Sequence, residues 1–128
     1  SDFGAAPGES DLGDADSIAE GLRSFGDAAV VTELIDLFLQ DAPARLAQAR
    51  DALAAGNAAG IGEAAHSLKG SARNLRAERL AQVCEALEQT GKLDEIGTAA
   101  STIGQAEAEL RKVTTLLKQQ KKSLGQAG

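Results

Sequence analysis

The sequence predicts an all-α fold: an up-down antiparallel four-helix bundle with one or two shorter N-terminal helices. Three observations predict it. Alanine and leucine dominate the apolar residues, β-branched residues are sparse, and the aromatics amount to three phenylalanines. Alanine and leucine favour helix, whereas strands draw on β-branched and aromatic residues. Apolar residues recur at three- and four-residue spacing rather than alternating. Gly, Pro, Asn and Asp punctuate these stretches at short intervals, so the connections are short and successive long helices run antiparallel. With 128 residues the chain is long enough for one domain with one core.

Residues 1–14, rich in Gly, Ser and Asp, read as a flexible linker or cloning remnant. The bundle is expected over 15–119. Ile18, Leu22 and Phe25 predict a short helix over about 15–25, with Gly26 ending it. Asp27 can cap the next helix, whose apolar set is Val30, Val31, Leu34, Ile35, Leu37, Phe38 and Leu39. Asp41-Ala42-Pro43 reads as a break, with Asp41 as cap and Pro43 in the first turn of a helix over about 42–55. Leu46, Ala49 and Leu53 face inward there. Gly56 suits a left-handed stop and Asn57 an N-cap for a helix over about 58–74. A further helix over about 77–90 turns Leu80, Val83, Cys84 and Leu87 inward and stops at Gly91. Asp94 can cap the last helix, about 95–119. Its Ile96, Ile103, Leu110 and Leu117 repeat every seven residues, with Ala99, Ala106 and Val113 between them, which makes a bundle seam or an oligomer interface. Residues 120–128 read as a fraying, flexible tail.

The net charge of −6 argues against a nucleic-acid binder, which needs a basic face for phosphates. Cys84 is the only cysteine, so no internal disulfide can form, and it reads as a small buried apolar residue. One Cys and one His make a metal cluster a poor reading, and no metal is expected. No apolar run is long enough to span a membrane and no signal-peptide pattern opens the chain, so a reducing, cytoplasmic setting is expected. The two loose ends suggest a domain cut from a longer polypeptide.

The single histidine, His66, lies in EAAHSLKGSARNL. At about 100° per residue, Ile61, Ala65, Leu68, Ala72 and Leu75 share one face of its helix. His66 lies about 140° from Ile61 and points outward. Gly62, Gly70 and Arg73 cluster beside it, with Lys69 at the edge of the same face. Glycine inside a helix costs about 1 kcal/mol relative to alanine, so two glycines one turn either side of His66 need a reason. They clear side chains from around the ring and let another surface approach. Lys69 and Arg73 place positive charge there, which favours a neutral imidazole with a free lone pair. Such a ring can act as a nucleophile, and the same cations can stabilise a phosphoryl group placed on it. Periodicity alone supports an accessible histidine in a cationic notch, or a surface histidine among solvated charges.

HSLKGSARNL resembles the active motif of histidine-containing phosphotransfer (HPt) domains: His, any residue, Leu, Lys, Gly, Ser, with Asn-Leu shortly after. LIDLFLQDAPARLAQARDALAAGN is similar to the two helices that precede it, and AERLAQVCEALEQTGK to the helix that follows. Together these cover about 27–119. The resemblance implies that His66 accepts a phosphoryl group on its outer ring nitrogen from a receiver-domain aspartate and passes it to another receiver. Lys69 would help neutralise the phosphate, and Gly70 would leave room for the receiver. Glu88 would hold the inner ring nitrogen. Ser71 and Asn74 match the motif, Ser71 as a phosphate contact or a local cap. Arg73 and Arg76 depart from the small residues usual there. Arg73 would add phosphate or receiver contacts, and Arg76 would suit a helix end.

The resemblance implies no cofactor of the chain's own, with magnesium belonging to the receiver. It implies receiver domains of response regulators or hybrid histidine kinases as partners, a monomer, and no nucleic-acid or membrane partner. The location would be the cytoplasm, free or as the cytoplasmic end of a membrane-bound hybrid kinase. The docking surface would surround His66, with Leu37, Leu39, Ala42 and Ala65 at its rim. No glycine-rich phosphate loop or acidic metal cluster is present, so the chain is not expected to be a kinase. The competing readings are the phosphorylation domain of a chemotaxis-type histidine kinase and a catalytically silent helical adaptor for receivers.

Overall fold

A computed structural model describes residues 6–127, with side chains from 14 to 125. Among these residues there are five helices and no strand: α1 (Ala6–Arg23), α2 (Ala28–Ala54), α3 (Ala58–Asn74), α4 (Glu78–Lys92) and α5 (Ile96–Ala127). The four longer-range partners close a ring, α2 on α3, α3 on α4, α4 on α5 and α5 on α2, while α1 lies against α5 and the α3–α4 turn. Three-residue connections between α2, α3, α4 and α5 enforce the up-down order.

The caps follow the local chemistry. Asp27 accepts the Val30 N–H at 3.0 Å and opens α2, and Asn57 accepts the Gly60 N–H at 3.0 Å and opens α3. Three helices end in one way. The residue just past the end is left-handed at Gly56 (φ 68°), Arg76 (φ 59°) and Asp94 (φ 57°). In each case its N–H and the next reach back to carbonyls three and five residues earlier, such as Arg76 to Arg73 and Ala77 to Ala72.

Several expectations are corrected. Asp41-Pro43 does not break the chain: α2 runs unbroken from Ala28 to Ala54 with Pro43 inside it. Proline deprives the Leu39 carbonyl of its N–H partner, but Pro43 is exposed and the flanking Phe38, Ala42, Leu46 and Ala49 are buried on one stripe. Packing of that stripe outweighs the local cost. Asp41 therefore caps nothing and pairs with Arg45 at 3.4 Å. Gly91 is not a stop but lies inside α4, and Asp94 is the left-handed stop rather than the cap of α5. α1 begins at Ala6 rather than near 15, with Pro7 in its first turn, where a missing N–H costs nothing. α5 continues to Ala127 through the expected tail. Residues 1–5 of the expected linker and Gly128 lie outside the described residues.

The core is where periodicity places it. Ile18, Leu22, Ile35, Ile61, Leu68, Leu80, Leu87, Ile103 and Leu117 are all at most 2% exposed. The seam of α5, from Ala99 to Leu117, is consumed inside the bundle. Cys84 is fully buried, and burial pushes its thiol up to about 12. Phe25 and Val30 of the expected apolar sets are exposed, and so is Leu37, which fits its expected place at the docking rim but not in the apolar set of α2. Ala42 and Ala65, expected at a docking rim, are core residues, and Leu39 packs against the core.

Candidate functional site

His66 stands midway along α3, with Leu68 and Ala65 anchoring the opposite face in the core. Its side chain is 71% exposed. α4 runs alongside and supplies the groups that meet it. Gly62 of α3 and Gly91 of α4 form the crossing: a Cβ on Gly91 would stand 2.7 Å from the Gly62 nitrogen and 2.8 Å from the Ala58 carbonyl oxygen. Such distances are unattainable, so this close approach requires a glycine at 91. It brings Glu88, three residues earlier on α4, beside His66.

Glu88 is buried, and its Oε2 lies 2.9 Å from His66 Nδ1. Its Oε1 accepts from the Lys69 ammonium at 2.6 Å, and Lys92 lies 3.6 Å from Oε2. The Lys69 hydrogen bond, and to a lesser degree that of His66, hold the Glu88 carboxyl below the usual glutamate range despite its burial. Glu88 is thus ionised and can only accept, so Nδ1 carries the proton and donates it. In the neutral ring this leaves the lone pair on the other nitrogen, Nε2. Because an anchored Nδ1–H fixes both tautomer and ring orientation, the site presents one nucleophilic nitrogen outward.

Lys69 also donates to Glu85 Oε1 at 2.8 Å. Two carboxylates raise the lysine above its ordinary value, and the ammonium holds Glu85 down at about 2. The cationic notch expected from α3 is therefore a charge-balanced cluster, because α4 sets carboxylates against it. Glu85 and Lys92 were not among the sequence candidates. Their signal was present: Glu85, Glu88 and Lys92 share one stripe of α4 at three- and four-residue spacing, complementary in charge to Lys69.

The structure brings His66, Lys69 and Glu88 together and sets Gly62 beneath them at the helix crossing. A Cβ on Gly62 would meet the Glu88 carbonyl oxygen and the Gly91 Cα at 3.8 Å, ordinary contact distance, so this position borders α4 while lining the hollow beside His66. Gly70 is open, with nothing within 4 Å of an added Cβ. Arg73 is exposed, and its charge helps lower Glu85. Ser71 is not brought to the imidazole; its hydroxyl donates to the Ser67 carbonyl within α3 at 3.4 Å. It borders a separate hollow with Asn74, Phe25 and Leu37. Arg76, expected at the helix end, lies in the turn just past α3, packing against Gly21 and pairing with Glu20 at 3.5 Å.

An exposed imidazole, anchored at one nitrogen on the outside of a helical bundle, is able to take a group on its other nitrogen. The Hpt domain family matches residues 33–122, and the chain belongs to that family. It is similar to the crystal structure of histidine-containing phosphotransfer protein B (HptB) from Pseudomonas aeruginosa PAO1, at 33% identity and a TM-score of 0.77, covering 81% of this chain and 92% of that one. No curated protein matches it. The chain is a phosphotransfer carrier of two-component phosphorelays. No helix among the described residues is long and apolar enough to cross a membrane.

Proposed function

We propose that His66 is the phosphoacceptor. The observation that carries this reading is the Nδ1–H bond to buried Glu88, which leaves exposed Nε2 as the nucleophile. The Nε2 lone pair attacks the phosphorus of a receiver's aspartyl phosphate. The N–P bond forms as the P–O bond to the aspartate breaks, and the aspartate leaves as carboxylate. The ring keeps its Nδ1 proton and becomes cationic, a charge that Glu88 stabilises directly. Transfer to a second receiver reverses these changes.

Lys69 screens the incoming phosphoryl charge. Gly70 leaves the receiver room, and exposed Arg73 adds a contact to phosphate or receiver. Ser71, bonded within its own helix, shapes that rim rather than touching phosphate. The metal that activates an aspartyl phosphate belongs to the receiver, and the carrier holds no cofactor. The carrier works as a monomer in the cytoplasm; the monomer is supported by the α5 seam, which is buried inside the bundle rather than left for a second copy.

The test is transfer of labelled phosphate from a phosphorylated receiver domain. Wild type is expected to take up acid-labile, base-stable label, and His66→Gln none. Binding of receivers without any label would overturn the reading in favour of a silent adaptor. Labelling only by an ATP-binding kinase domain would overturn it in favour of the chemotaxis-type domain.

A further inference from the structure

The carrier reading leaves Glu85 without a task, and the following inference rests on that reading. Lys69 is held by two carboxylates that differ in their freedom. Glu88 is buried and already bonded to the imidazole. The Glu85 side chain is 41% exposed, and its second oxygen accepts from the Gln89 amide at 3.0 Å. A phosphoryl group on Nε2 adds up to two negative charges beside this cluster. Glu88 cannot withdraw without uncovering a buried charge and releasing the ring. Glu85 can withdraw into solvent.

We propose that Glu85 is a positioning residue that holds Lys69 in the unphosphorylated site and yields it to the phosphoryl group, loosening the site's grip on phosphohistidine and favouring onward transfer. Glu85 takes no proton and forms no bond to phosphorus; the bonds that form and break are those of the carrier step. It acts through competition for the ammonium and through like-charge repulsion. Removing its charge shifts the equilibrium with an aspartyl phosphate toward phosphohistidine by about fivefold, the scale of one half-exposed charge at close range. The phosphoryl group then also keeps its second charge to lower pH, by about half a unit.

The experiment compares wild type, Glu85→Gln and Glu85→Asp. Each is phosphorylated with phosphoramidate, which needs no receiver, and the phosphoryl titration is followed by phosphorus NMR. Each is then equilibrated with a phosphorylated receiver domain. Glu85→Gln is expected to show the lower titration midpoint and the fivefold shift, with Glu85→Asp close to wild type and salt narrowing the difference. A merely structural role for Glu85 would not move the phosphoryl titration. Glu85→Gln behaving as wild type in both arms, while transfer proceeds normally, overturns the inference and leaves the carrier reading standing. Failure of every receiver to label the wild type overturns the carrier reading, and the onward-transfer role with it.

Discussion

Replacing Gly91 with alanine puts a methyl group where backbone atoms of α3 already stand. The added carbon would lie 2.7 Å from the Gly62 nitrogen, 2.8 Å from the Ala58 carbonyl oxygen and 2.9 Å from the Gly62 Cα. None of these is the end of a flexible side chain, so relief comes only from separating α3 and α4. Overpacking of this kind costs about 2–3 kcal/mol. Alanine returns about 1 kcal/mol of helix propensity. The net is a loss of about 1–2 kcal/mol, or roughly 3–8 °C in Tm for a chain of this size. Gly70→Ala is the control: it lies in α3 with open space around it and should gain about 0.5–1 kcal/mol. Urea unfolding of the two variants beside wild type reads both signs. Because Glu88 rides on the same stretch of α4, Gly91→Ala should also slow phosphate uptake, whereas loss of stability alone would leave the folded fraction fully active. A Gly91→Ala protein as stable as wild type would refute the claim that this crossing is sterically closed.

Two further outcomes follow from charge and backbone geometry. Lys69 depresses Glu85 to about 2 and lowers Glu88, so these groups stabilise the fold above the ordinary glutamate range and lose that contribution as pH falls from about 4.5 toward 2. Urea midpoints across that window should fall more steeply for wild type than for Glu85→Gln; parallel curves would sink the assignment. Asp94 is exposed and left-handed, so Asp94→Gly should stabilise by about 0.5–1 kcal/mol, read as a raised Tm.

The face of α3 was legible because one helix's own periodicity decides it: Ile61, Leu68 and Ala72 turn inward and His66 outward. The bounds of α3, Ala58–Asn74, were legible for the same reason, since Asn57 and Gly56 act locally. What was not legible depends on a second helix. Pro43 reads as a break until the buried stripe on either side of it is known. Gly91 reads as a stop because a glycine's two uses, a left-handed turn and a close approach, look alike in sequence. Lys69 reads as a free cation until Glu85 and Glu88 arrive from α4. Arg76 and Asp94 occupy left-handed stops that local propensity assigns to glycine.

The turn at Arg76 also bears on where the folding unit begins. Ser17 donates to the Arg76 carbonyl at 3.2 Å, the Arg79 N–H reaches Asp14 at 3.4 Å, and Gly21 receives the Arg76 side chain. Ile18 and Leu22 sit in the same apolar cluster as Leu75, Ala77 and Leu80. The family match starts only at residue 33. A fragment cut there would lack the lid formed by α1, the Asp27 cap and Val31, and would present an uncovered apolar end to water. The stretch that defines kinship is therefore shorter than the unit that packs together, which takes in the Asp14–Leu22 part of α1 as well.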